Sequence, residues 1–229
     1  MTKVIGIHQP NFLPWMPYFS KLEASDAFVL LDDVQFPQGS YVNRVRGPEP
    51  LHWMTVPVRH GSALIKDTLI DYGRNWHGKL LRGIQQIYGK APFFEETFGP
   101  LQRFVGSRPR FLIELNLPLI TWLRDQLGLQ TSLHLSSQFG LQTSGSERLV
   151  EICQALQASH YLAGKGSIAY EKLELYAQAG IHYVSADLGR GQSPLSILDS
   201  LMKSGASATA GLIRERRWQM VEAAECPRP

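Results

Sequence analysis

Val4-Ile5-Gly6-Ile7-His8-Gln9-Pro10-Asn11-Phe12-Leu13-Pro14-Trp15, followed by Phe28-Val29-Leu30-Leu31-Asp32-Asp33-Val34-Gln35-Phe36, decides the fold. Each half begins as an apolar run of strand type and ends abruptly in polar residues. The first run delivers His8, Gln9 and Asn11; the second delivers Asp32, Asp33 and Gln35. Residues 15–25 between them fit one short crossover helix. A strand–helix–strand unit of this size is almost always right-handed with parallel strands. Both polar groups then fall at the same carboxyl edge of one sheet, where open α/β folds bind ligands.

Outward from this unit, residues 37–50 read as loop and extended chain, 51–58 as a β-rich stretch with Pro57 near its end, and 64–70 as a further strand. From Trp76 to about Leu127 the period turns helical. Leu80, Leu81, Ile84 and Ile87 share one face, and Phe111, Leu112, Leu115, Leu119, Trp122 and Leu123 share another. Pro92, Pro100, Pro109 and Pro118 divide this region into short helices. Strands and helices then alternate. Residues 132–135 are a strand, and Ser144-x-x-Glu147 is a capping box opening a helix that buries Leu149, Ile152, Cys153 and Leu156. Residues 160–163 are a strand, 170–179 a helix stopped by Gly180, and 181–185 a strand. Ser193-Pro194 opens a last helix that Gly205 ends. The expected architecture is a three-layer α/β domain over 1–219, with a mostly parallel, Rossmann-like sheet and a helical insertion at about 75–128. A disordered tail is expected over 220–229.

The totals are those of one globular domain: 229 residues, 44% hydrophobic and 19% charged. A net charge of +3 permits an anionic ligand but supplies no basic stripe of the kind nucleic-acid binding uses. Two cysteines, one in an apolar helical run and one beside Pro227, form no disulfide framework. There is no signal-peptide pattern and no apolar run of spanning length, so the expected location is the cytoplasm.

His8 is the candidate general base, because a neutral imidazole near pH 7 can take a proton from an attacking amine. Asp32 or Asp33 would orient that ring or hold an ammonium group. Strand alternation lets only one of the two face the site. The alternative is that His8 caps its strand and an aspartate caps the turn that follows. Asn11 is equally suited to cap the crossover helix or to bind ligand. Trp15 and Tyr18, three apart on a helix, suit either the core or stacking on a sugar or base. Asn43 and Arg44, with Arg46, suit phosphate or an exposed loop. Gly164-Lys165-Gly166-Ser167 stands between a strand and a helix, as an anion loop or simply a sharp turn. The remaining histidines lack metal-ligand spacing, so no metal is expected. Cys153 lies on a buried helix face, away from anything that would activate a nucleophile.

HQPNFLPW at 8–15, Tyr18-Phe19 with Lys21, Asp26-x-Phe28, LDDVQF at 31–36, Asn43-Arg44 and TVPV at 55–58 resemble the WbqC-like proteins. Tyr161-Leu-Ala-Gly164, Tyr170, Gly180-Ile181 and Ser196-Ile-Leu-Asp199 extend the resemblance to about residues 4–205. These proteins belong to bacterial O-antigen and related polysaccharide gene clusters. The resemblance implies transfer of a glycyl, other aminoacyl or acyl group to the amine of a nucleotide-linked amino sugar. On that reading Arg44 binds phosphate, while Gln9, Asn11 and Gln35 hydrogen-bond the sugar or the acyl carbonyl. The donor would be an acyl carrier or an aminoacyl-tRNA, with no tightly bound cofactor. The chain departs from the expected pattern at 186–193, which is short and Gly-rich. The opening also resembles nucleotidylyltransferases, with Phe12 and Trp15 where those enzymes carry phosphate-binding histidines. Nucleotidyl transfer and a non-catalytic sugar-nucleotide-binding protein are therefore the rival readings.

Overall fold

The computed structural model describes residues 2–59, 64–164, 167–187, 193–215 and 219–222. Strand β1 (Val4–His8) leads through helix α1 (Met16–Glu23) to β2 (Ala27–Leu30), and the two strands pair in parallel from Ile5–Ala27 to His8–Leu30. Gly6 is needed here. A Cβ at this position would stand 2.4 Å from the Ser25 hydroxyl and 2.7 Å from the Phe28 ring. Its absence lets the end of α1 pack directly on β1.

Strands β3 (Arg44–Arg46) and β4 (Trp53–Thr55) form a separate antiparallel pair, followed by α2 (Trp76–Tyr88), α3 (Phe94–Gly106) and α4 (Leu112–Gln126). The chain returns to the main sheet through β5 (Ser132–Leu135), α5 (Gly145–Ala155), β6 (His160–Ala163), α6 (Leu173–Gln178) and β7 (His182–Asp187). Helix α7 (Leu198–Glu215) and strand β8 (Gln219–Glu222) follow. The sheet order is β5-β2-β1-β6-β7-β8, with the first five strands parallel and β8 antiparallel at the edge. Helices on both faces make this an α/β three-layer fold. Phe28 and Leu30 of β2 face a core built with α1, α2–α4 and α7. Ile5, Ile7, Val29, Tyr161 and Tyr183 face a second core under α5 and α6. No helix among the described residues is long and apolar enough to cross a membrane.

Within 37–50, read as loop and extended chain, Arg44–Arg46 form the short strand β3. Several local expectations are corrected. Residues 64–70 contain a 3-10 turn over Ile65–Asp67, held where the Thr68 hydroxyl donates to the Leu64 carbonyl at 2.9 Å. Pro100 and Pro118 lie inside α3 and α4, whose apolar faces fill the core and outweigh the local cost. The last helix opens at Leu198 rather than Pro194. Ser196 accepts from the Leu198 amide at 3.3 Å and donates to the Leu13 carbonyl at 2.8 Å, which holds 195–196 extended against Trp15 and Arg46. Gly205 interrupts that helix instead of ending it. Its φ is +79°, and the Phe93 ring lies 2.8 Å from where a Cβ would stand. Residues 220–222 belong to β8, because the outer edge of β7 offers them a ladder; 223–229 lie outside the described residues.

Candidate functional site

Because β1 and β2 run parallel, His8 and the Asp32-Asp33 pair emerge at one edge of the sheet, as their sequence pattern requires. The Leu31 amide donates to the His8 carbonyl at 2.8 Å, carrying the ladder to the last residue of β1. The order of strands reverses between β1 and β6: β2 and β5 were added on one side, β6 and β7 on the other. Such a switch point is where α/β sheets open a crevice. The β1–β6 ladder stops at Gly6–Leu162, two residues before β1 ends.

The aspartates are engaged on the β5 side of the edge. Asp32 is 2% exposed. Its Oδ1 accepts from the Ser137 amide at 2.9 Å and the Ser136 hydroxyl at 3.1 Å, and its Oδ2 from the Ser137 hydroxyl at 2.7 Å. Asp33 accepts from the Ser136 hydroxyl and forms an ion pair with Arg148 of α5, both side chains 10% exposed. Arg148 also donates to the Thr143 carbonyl at 2.7 Å. These bonds fasten β2 to the turn after β5 and to the start of α5. The expected orientation of His8 by an aspartate is corrected: the His8 ring nitrogen that could meet a carboxylate meets a backbone carbonyl instead.

That partner is the Gln9 carbonyl, 3.2 Å from His8 Nδ1. A carbonyl only accepts, so Nδ1 carries the proton and Nε2 presents its lone pair. Among the described residues no hydrogen bond engages Nε2. The Tyr18 ring stands edge-on to His8 at 5.0 Å, and its hydroxyl donates to the same Gln9 carbonyl at 3.3 Å. Burial, then the charge of Lys21, lowers the His8 pKa to about 3; the Gln9 bond opposes them. His8 is therefore neutral throughout the physiological range.

Nothing local in the sequence marks Lys21 for the chemistry of this site. It is 4% exposed on α1, and its Nζ donates to the Ile7 carbonyl at 2.7 Å, beyond the point where β6 has left the ladder. Burial lowers its pKa to about 8, against the attraction of Glu171. Glu171, whose own pKa burial raises, accepts from the Tyr161 and Tyr176 hydroxyls. Tyr183 shares a 2.8 Å bond with Ser167, which also donates to the Gly164 carbonyl. Helix position and burial hide this cluster: a lysine near a helix end and a glutamate between elements look solvated in sequence. Cys153 lies in the same core, its thiol pushed up to about 12 by burial, and is unsuited to nucleophilic work.

The remaining expected residues spread outward from His8. Asn11 is buried, and the helix that it was suited to cap has Trp15 at its N-cap, with no side-chain cap bond. Leu13, within the 9–15 loop, holds a φ of +42°, a region L-residues rarely adopt. Tyr18 belongs to the core, whereas Trp15 is only half-buried and lies parallel to the Tyr41 ring at 6.3 Å. Gln35 is exposed and bridges Leu64. Asn43 donates to the Val56 carbonyl at 2.9 Å, while its Oδ1 is buried without a partner among the described residues. The Arg44 guanidinium lies 4.5 Å from the Trp53 ring centre. Asn116 of α4 ties the two halves of this surface together, donating to Pro10 at 2.8 Å and Val42 at 2.7 Å. The middle of the Gly164–Ser167 turn, and most of the 186–193 segment, lie outside the described residues. Among the described residues no group of three or more His, Cys, Asp and Glu is placed to hold a metal ion.

The arrangement brings a neutral nitrogen base and a buried cation together at the end of β1, with an aromatic surface beyond them. The uncharacterized protein Rv1507c of Mycobacterium tuberculosis is 29% identical over 224 residues, covering 90% of this chain and 96% of that protein. No solved structure matches the chain. A family model described as the WbqC-like protein family matches residues 9–210, and the chain belongs to that family.

Proposed function

We propose that this protein transfers an acyl or aminoacyl group to the amine of a nucleotide-linked amino sugar during glycan assembly. The observation that carries this reading is the contact of His8 Nδ1 with the Gln9 carbonyl, which selects the Nδ1–H tautomer. With Nδ1–H held by the Gln9 carbonyl, Nε2 is a fixed acceptor at the sheet's switch point, and burial together with Lys21 keeps the ring neutral. The attacking amine donates a hydrogen bond to Nε2, and that bond turns the amine's own lone pair toward the acyl carbonyl. The new N–C bond forms first, giving a tetrahedral intermediate, and the bond to the carrier breaks as that intermediate collapses. The nitrogen becomes cationic and strongly acidic in the tetrahedral intermediate, so a weak base suffices to take its proton and pass it to the leaving group. Gln9, rather than Asp32 or Asp33, orients the base. Asn11 and Gln35 remain candidates for the sugar or the acyl carbonyl, and an acyl carrier or an aminoacyl-tRNA for the donor.

Nucleotidyl transfer has weaker support, because Phe12 is fully buried and Trp15 is stacked where imidazoles would have to grip phosphates. The deciding experiment incubates the protein with nucleotide-linked amino sugars and acyl or aminoacyl donors, and reads acylation by mass. The wild type should add the group, and His8→Ala should lose at least about 100-fold in rate. Pyrophosphate release from a nucleoside triphosphate, or binding of the sugar nucleotide without turnover, overturns the proposal.

A further inference from the structure

Strands β3 and β4 turn one face inward and one outward. Val45 and Met54 enter the core, while Arg46 and its register partner Trp53 project from the other face, with Arg44 beside them. Trp53 remains 37% exposed and carries both guanidinium groups, Arg44 at 4.5 Å and Arg46 at 5.4 Å from its ring centre. Tyr41, 43% exposed, continues the surface at 6.2 Å from Trp53 and 6.3 Å from Trp15. Neither arginine is paired with a carboxylate among the described residues. The ledge is also joined to the His8 loop: the Phe12 amide donates to the Tyr41 carbonyl at 3.0 Å, and Asn116 clamps Pro10 to Val42.

Large exposed aromatics interleaved with unpaired guanidiniums match a ligand that is part planar ring and part phosphate. We infer that Trp15, Tyr41, Trp53, Arg44 and Arg46 form a recognition ledge for the nucleoside diphosphate portion of the substrate. The base stacks on Tyr41 and Trp53, and the two arginines hold the diphosphate. This assignment rests on the proposal that the acceptor is nucleotide-linked, and it adds the residues that select the nucleotide rather than perform the transfer. Each stacked ring is worth about tenfold or more in affinity.

The test titrates the full chain with uridine, thymidine, guanosine and cytidine diphosphates, with the matching nucleosides, and with inorganic pyrophosphate, following tryptophan fluorescence and heat of binding. At least one diphosphate should bind, with Trp53→Ala and Tyr41→Ala each weakening it about tenfold. Trp53→Phe should retain most of the affinity. Arg44→Ala/Arg46→Ala should weaken the diphosphate strongly and leave the weaker binding of its nucleoside unchanged. Unchanged diphosphate affinity in the alanine variants, with their melting temperatures intact, overturns the ledge. So does pyrophosphate binding as tightly as every nucleotide, or a single-stranded RNA ending in CCA binding through these residues in preference to them. Acylation that survives in Trp53→Ala with an unchanged KM for the sugar nucleotide would sink the ledge alone. Diphosphate binding through these residues without any acylation would sink the transferase reading alone.

Discussion

Beyond β2 and β5, Asp32 and Asp33 direct their oxygens at Ser136, Ser137 and Arg148, whereas beyond β1 and β6 His8 keeps an open nitrogen and Lys21 is held as a buried cation. The two groups share one edge of one sheet and look equally catalytic in sequence. Their difference lies in what their valences already do. A carboxylate with its acceptor sites filled by hydroxyls, an amide and a guanidinium fastens loops together. A ring with one nitrogen fixed and the other open, its basicity shifted by burial and a neighbour, is poised for a ligand. The β2–β5 half of the edge is a fastening, and the β1–β6 half is where we propose the site.

The hardest blow to that contrast is aimed at Arg148. Replacing it with Met leaves Asp33 buried without its cation, and loss of one partner from a buried pair costs about 3–5 kcal/mol. Urea denaturation of Arg148→Met should show a loss of that size. Asp33→Asn/Arg148→Met, which removes both charges, should recover much of it. A loss under about 1 kcal/mol in the single variant, the scale of an ordinary surface change, would mean the aspartates are not committed to the fold. Asp33 would then be open again as a site residue.

The β1–β6 half is tested by pH. His8 titrates near 6.5 when unfolded and at about 3 when folded, so between these values the unfolded chain binds the proton and the folded chain does not. The His8 contribution is complete above about pH 6.5 and is lost progressively down to about pH 3. Lys21 titrates near 10.5 unfolded and at about 8 folded. The cost of burying its charge is therefore present below about pH 8 and is relieved as pH rises toward 10.5. Each effect is on the order of 3–5 kcal/mol. His8→Gln should flatten the acid slope of stability between about pH 3 and 6.5, and Lys21→Met should flatten the alkaline rise. Melting curves whose acid slope is identical in wild type and His8→Gln would place the imidazole in ordinary solvent and remove the basis for its fixed neutrality.

Much of this was legible in the chain. The runs at 4–7 and 28–31 had to be buried parallel strands, and their parallel course alone put His8 and Asp32 at one edge. The helical period over 76–126 and the strands near 160 and 182 were equally plain. The partners that separate fastening from site were not. Arg148 lies 115 residues from Asp33, and Ser136 lies 104 from Asp32, so only the tertiary fold joins them. A weak signal existed, because Ser136-Ser137 follow a strand that also ends at this edge. Lys21 stood in the run that carries the family resemblance, but neither it nor Glu171 showed its role, which comes from desolvation that no local pattern records. Of the ledge, Trp15, Arg44 and Arg46 were legible as candidates, but Tyr41 and Trp53 escaped for another reason. The ledge's two strands are three residues each, too short for alternation to show.

Ser144 offers the smallest effect and tests the same distinction between a residue's type and its engagement. Ser-x-x-Glu at 144–147 reads as a reciprocal cap, and loss of such a hydroxyl ordinarily costs about 1 kcal/mol. Ser144 does stand at the N-cap of α5, yet its side chain makes no cap bond. Gly145 enters the helix at a φ of +58°, outside the helical range a standard cap needs at its first residue. The preceding residue is secured instead: Thr143 receives Arg148 on its carbonyl and donates its hydroxyl to Glu151 at 2.7 Å. Ser144→Ala should therefore change unfolding free energy by less than about 0.5 kcal/mol, while Thr143→Ala should cost more. If the order is reversed, the sequence signature describes the helix start better than the Arg148 network does, and the fastening role given to the β2–β5 half of the edge weakens with it.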